Sequence, residues 1–248
     1  MMSVQSEQRT GVEADVWSAL QTVRDPELDE SIVALSFVTG VQIDDGTASV
    51  QLRLPTYFCA PNFAYLMVSD AFDAVTAVAA GRQVNIRLED HFASEEINGG
   101  VSDGAGFQGT FPGQARAELD KLRLTFQRKA HTACLERASA QLIKKGWKME
   151  DLGEAKLSDL PDTPVSQSLL RRRADLGLPL EPERPMYVDA QGLPVGKPDL
   201  VSHLRMARAT RVSIDGNSGL CRGLLATRYG DGTTQGTLSG VTSETAAP

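Results

Sequence analysis

The stretch PTYFCAPNFAYLM, residues 55–67, sets Cys59 between the end of an apolar strand pattern and the start of an apolar helix pattern. Pro61 follows two residues later, and proline is preferred at the first helical position, so Cys59 falls at or just before a helix N-terminus. The unpaired N–H groups and the positive dipole end there favour an anion, which makes the thiolate easier to reach. Such a sulfur is a candidate nucleophile or soft-metal ligand; the competing reading is a small buried side chain. A second set of chemistry-bearing residues lies in EDHFASEE, where His91 and Glu95 are four apart and Glu96 adds a carboxylate. If that segment is helical, the two side chains share a face with Cβ atoms about 5–6 Å apart, and imidazole with carboxylate suits iron. If Ser94 caps a helix beginning at Glu95, they do not share a face. Cys221 sits in GNSGLCRGLL, among glycines and beside Arg222, whose guanidinium favours a thiolate. Asp25 and Glu27 in RDPELDE either shape a turn before the helix-breaking Pro26 or take a direct part. His131 and Cys134 lie beside an apolar helical stripe and are read as packing residues, and His203 as an ordinary residue.

The elements that must position these residues follow from hydrophobic period. Val12, Val16, Leu20 and Val23 recur at helical spacing, and Pro26 predicts that this helix ends near Arg24. FVTGVQID and TASVQLRL flank Asp45-Gly46, which predicts an antiparallel hairpin. Residues 61–81 read as a helix with Gly81 at its C-cap, and Val84, Ile86 and Leu88 alternate as a third strand. The expectation is an α+β fold: a small αββαβ domain over residues 11–92 with a three-stranded sheet, then a mainly helical unit over 93–230 with short strands. Residues 1–10 are expected to be a flexible leader and 231–248, poor in apolar residues, a disordered tail. In the second unit Leu119, Leu122, Phe126, Ala130 and Ala133 predict one long helix ended by Gly146. MYVDAQGLPV suggests a small hairpin, PDLVSHLRMARAT a short helix, and RVSIDGNSGLCRGLL a short strand running into a glycine-rich turn. The connection from 92 to 113 carries Phe92, Ile97, Phe107 and Phe111, too much apolar surface for a free linker, so the second unit is expected to fold against the first.

Composition narrows the function classes. Lys and Arg number 25 against 32 Asp and Glu, a net charge of -7, so nothing general draws the chain to nucleic acid or anionic lipid. No signal-peptide pattern and no run of roughly 18 apolar residues is present, which predicts a cytoplasmic protein without a membrane partner. Three well-separated cysteines, Cys59, Cys134 and Cys221, predict free thiols rather than a disulfide framework. The absence of P-loop and zincin spacings removes the common P-loop nucleotide and zincin readings.

VRDPELDESIVALSFVTGVQIDDGTASVQLRLPTYFCAPNF resembles the metal-sulfur cluster assembly family of SufT/PaaD type. The likeness rests on Asp25-Pro26-Glu27 after the first helix, SIVALSFV leading into the first strand, and Thr56 with Cys59 after the second. It departs from the family pattern in the two residues between Thr56 and Cys59 and in Ala60. The long form, with DHFASEEIN and GNSGLCRGLLATRYG, is similar to accessory proteins of bacterial di-iron multicomponent monooxygenases. The resemblance implies a maturation factor that installs iron or an iron-sulfur cluster in a client enzyme, with Cys59 as the functional thiol supported by Asp25, Glu27 and Thr56. Candidate metal ligands for a transient iron or cluster are Cys59, His91, Glu95 and Cys221. Two alternatives stay open. One is a metal-free adaptor or chaperone docking to a client oxygenase; the other is a cysteine-dependent enzyme with Cys59 as nucleophile and His91 as base.

Overall fold

The computed structural model describes residues 11–113, 116–189 and 191–230. The expected leader and tail lie outside the described residues. The chain runs α1 (Val12–Leu20), β1 (Val38–Ile43), β2 (Thr47–Arg53), α2 (Pro61–Thr76), β3 (Gln83–Glu89), α3 (Ser94–Ser102), α4 (Gly106–Thr110), α5 (Arg116–Lys144), α6 (Pro164–Asp175) and α7 (Lys197–Tyr229), with two 3₁₀ turns at Met149–Glu154 and Leu157–Asp159. The fold is α+β, and its first part has the expected αββαβ order. β1 and β2 pair antiparallel around the Asp45-Gly46 turn. β2 and β3 pair parallel from Thr47–Gln83 to Arg53–Glu89, giving sheet order β1-β2-β3. A parallel pair needs a crossover, and α2 is that crossover.

Parallel pairing decides where the chemistry falls. The C-terminal ends of β2 and β3 lie side by side, so the loop carrying Cys59 and the loop carrying His91 leave the same end of the sheet. Open sheets place ligand sites at the carboxyl ends of parallel strands for this reason.

Val16, Leu20, Ile32, Phe37, Leu52, Leu66, Ile86 and Leu88 belong to the first core, which also takes in Ile97, Val101, Phe107 and Leu119 and so reaches beyond residue 92. A second core joins Leu135, Ala138 and Leu142 of α5, Leu169 of α6, Met186, Tyr187 and Leu200 of α7. Cys134 is buried in it, in keeping with a packing role.

Three sequence expectations are corrected. The first helix ends at Leu20, not near Arg24: Thr22 N–H and hydroxyl both bond the Ala19 carbonyl, and Val23 is thereby free to accept a bond from Ile32 N–H. α2 ends at Thr76 with Ala77 as its cap, well before Gly81; Ala80 and Gly81 both take positive φ in the turn that follows. Most consequential, residues 197–229 form one helix of 33 residues, where a short helix, a strand and a glycine-rich turn were expected. The small hairpin amounts to an isolated bridge between Val188 and Pro194. The long helix expected from the Leu119 stripe is present as α5, and Gly146 beyond it takes φ 100°.

Candidate functional site

Cys59 lies two residues before α2, with Ala60 as the cap and Pro61 as the first helical residue. Its half-buried sulfur is 3.3 Å from the Thr56 hydroxyl. That hydroxyl oxygen accepts from Phe58 N–H, which leaves its hydrogen free to turn toward the sulfur.

The loop after β3 locks onto this segment. Asp90 takes φ 53°, a left-handed conformation that aspartate tolerates, and the chain turns back. Phe92 N–H then donates to the Tyr57 carbonyl at 3.1 Å. His91 is buried, and its Nδ1 accepts from Ala93 N–H at 3.2 Å. The proton therefore sits on Nε2, which donates to the Cys59 carbonyl at 2.8 Å. Both ring nitrogens are thus committed to the backbone. His91 braces the Cys59 loop, and it faces the cysteine carbonyl rather than the sulfur that a general base would need to reach.

The proposed pairing of His91 with Glu95 on one helical face is corrected. α3 begins at Ser94 behind an Ala93 cap, so His91 precedes the helix while Glu95 is exposed in its first turn. Among the described residues, no group of three or more His, Cys, Asp or Glu side chains is placed to hold a metal ion.

Asp25 is buried and organises the turn after α1: its Oδ1 accepts from Glu27 N–H and Leu28 N–H, each at 2.8 Å. Burial, reinforced by Glu27 and Glu30, pushes its carboxyl up to about 6 against those two donors. Glu27 accepts from Asn217 Nδ2 at 3.2 Å, and Glu30 meets Ser218 and Arg222, so α7 lies against this turn. Cys221 is half-buried on the same helix and packs against the first core, as Cys59 does. Burial, then the charges of Asp25, Cys59 and Glu27, push its thiol up to about 11. Asp25, Cys59 and Glu27, up to 196 positions away in the chain, thus act electrostatically on Cys221; Glu95 is not part of this set.

Sequence reasoning missed the aromatic surface beside the cysteine. Tyr57, Phe58 and Phe92 are exposed, Phe58 by 77%, and their rings stand 5.1–6.3 Å apart. Three aromatics within one residue of Cys59 or His91, or two from it, were the available signal. His131 and His203 lie elsewhere, lining a cavity of about 210 Å³ between α5 and α7.

Through residues 13–88 the chain belongs to the family described as iron-sulfur cluster assembly protein. An uncharacterized protein of Methanocaldococcus jannaschii is 32% identical over 85 residues, which are 34% of this chain and 87% of that protein. No solved structure matches the chain. No helix among the described residues is long and apolar enough to cross a membrane.

Proposed function

We propose that the protein carries iron or an iron-sulfur cluster transiently on Cys59 and helps to install it in a client iron enzyme, a di-iron multicomponent monooxygenase being the client that the long form resembles. Family membership supports the general role in cluster assembly. The observation that carries the finer reading is the Cys59 sulfur itself, half-buried at the carboxyl end of two parallel strands, with the Thr56 hydroxyl 3.3 Å from it and its loop braced by His91. A carrier must hold a soft ion without enclosing it, and a thiolate with few companion ligands does that. Free cysteines persist in a reducing cytoplasm, the compartment this reading requires.

Cys59→Ser tests it. Ala60 is the helix cap, so serine at position 59 removes no cap, and its hydroxyl can keep the Thr56 contact while the soft ligand is lost. Co-expressed with a di-iron monooxygenase, the variant is expected to leave the oxygenase poor in iron and inactive. Full iron loading would overturn the carrier mechanism. That result would favour a second reading, a metal-free adaptor that grips its client through the exposed Tyr57, Phe58 and Phe92 rings.

A further inference from the structure

Helix α7 is held in the second unit by its middle and meets the amino-terminal domain with its C-terminal part. Arg211 bonds Glu136 of α5 and Asp215 bonds Arg137, while Cys221 and Leu225 pack on the first core. In the last turn of the helix, Arg228 reaches the stems of both loops of the site. Its Nη2 donates to the Asp90 carbonyl at 2.9 Å and its Nη1, more loosely, to the Leu54 carbonyl at 3.5 Å. The pairing of β2 with β3 ends at Arg53–Glu89, so Leu54 and Asp90 are the first residues past the ladder on each strand. Leu54 leads to Cys59, and Asp90 to His91. Arg228 thus ties the two strands together at the level where their own pairing stops. The Tyr229 ring lies 5.0 Å from the Arg228 guanidinium and 5.2 Å from that of Arg53, which in turn bonds Glu89 at 3.0 Å.

Asp90 is where such a tie matters most. Its φ of 53° is sparsely populated for a residue with a Cβ, and a conformation of that kind persists where its surroundings over-determine it. The turn it makes sends the chain back, so that Phe92 N–H meets the Tyr57 carbonyl and His91 Nε2 the Cys59 carbonyl. We propose that Arg228 is a positioning residue for the Cys59 site: its guanidinium holds the two loop stems at one separation, and the docking of α7 thereby keeps His91 bracing the cysteine loop. This role rests on the reading of Cys59 as the cargo-holding thiol and gives the second unit a part in that site. A guanidinium presents its N–H donors in a rigid planar fork, so two carbonyls bound to one fork are fixed relative to each other, whereas a lysine ammonium is a point charge on a flexible stem.

Amide hydrogen exchange on the full chain tests this without metal or client. Arg228→Ala and Arg228→Lys are compared with the parent and with Arg222→Ala, which loosens α7 at the Ala34 carbonyl and Glu30 rather than at the loop stems. Phe92 N–H is expected to exchange about tenfold faster in both Arg228 variants, with the amides of β2 unchanged, and at the parent rate in Arg222→Ala. An equal rise in Arg222→Ala would reduce Arg228 to general helix docking, and full recovery in Arg228→Lys would reduce it to a charge; either overturns the proposal. A second measurement, on the unmutated protein, does not depend on a variant folding. The Arg228 Nη hydrogens are expected to give separate proton resonances, because two bound carbonyls stop the fork from rotating, and one averaged signal overturns the proposal. Co-expression with a di-iron monooxygenase gives the functional arm: Arg228→Lys is expected to leave the oxygenase poor in iron although Cys59 is intact. Full loading by Arg228→Lys, where Cys59→Ser leaves the oxygenase poor, would overturn the positioning role. Full loading by Cys59→Ser would instead overturn the carrier reading, and the exchange rates still decide whether Arg228 sets the loops.

Discussion

Asp25 and His131 titrate in opposite senses over the same pH range. Burial lifts the Asp25 carboxyl from 3.8 to about 6, and burial with the nearby Arg173 lowers the His131 imidazole from 6.5 to about 4. Folded Asp25 holds its proton more tightly than the unfolded chain does, so its contribution is fully present below about 4 and is lost as pH rises through 6. Folded His131 binds a proton more weakly, so its contribution is present above about 6.5 and is lost as pH falls toward 4. The two shifts offset each other in the parent. Asp25→Asn keeps an oxygen to accept from Glu27 and Leu28 and removes only the first shift. The variant is expected to lose on the order of 2–3 kcal/mol more stability than the parent between about pH 6.5 and pH 4. Urea unfolding across that range checks it, and parallel profiles for the two proteins would refute the assignment. Asp25 was legible in the sequence as a turn residue, because its place before Pro26 is local. Its burial was not, because the atoms that exclude water from it come from other elements.

Helix α7 is where local reasoning and the fold part company. Gly216, Gly219 and Gly223 lie within it, and each glycine in a helix costs about 1 kcal/mol relative to alanine. Contacts made at a distance offset that cost. Asp215 pairs with Arg137 of α5 and with Arg211, and Arg211 also bonds Glu136 of α5, each at 2.6–2.7 Å. Arg222 and Arg228 tie the far end to the amino-terminal domain. The glycines are not needed for close approach, since a Cβ built at Gly216, Gly219 or Gly223 meets nothing within 4 Å. Gly219→Ala is therefore expected to stabilise the protein by about 0.5–1 kcal/mol, seen as a higher urea midpoint with an unchanged slope. Destabilisation would mean that the helix is bent or interrupted there in solution.

At the scale of the molecule, the two cores are joined by specific pairs as well as by chain connection. Arg123 of α5 makes a bidentate pair with Asp70 of α2 at 2.7 and 2.8 Å, and Phe126 packs edge-on against Phe63 at 5.0 Å. Arg172 of α6 meets Asp29 in the turn after α1, where both side chains are largely buried. Phe107 and Phe111 of the connecting segment pack edge-on against Tyr65, with ring centroids 5.2 and 6.2 Å away. Limited proteolysis within residues 103–113 is accordingly expected to nick the chain without separating it, the two pieces eluting together in size-exclusion chromatography. Independent elution of two folded fragments would contradict this arrangement.

The elements of the first 92 residues could be derived from sequence because each is dictated by neighbours: apolar periods for α1, α2 and the strands, Asp45-Gly46 for the hairpin, Pro61 for the start of α2 just after Cys59. Tertiary structure alone decided that β3 lies parallel to β2, which turns His91 from an imagined partner of Glu95 into the brace of the Cys59 loop. It alone decided that α7 returns across 190 positions to set Asn217 against Glu27. Local propensity acts over a few residues, whereas these placements arise from cores and ion pairs formed between segments far apart in the chain. A glycine-rich stretch therefore became a helix once packing and charge outweighed its intrinsic preference for a turn.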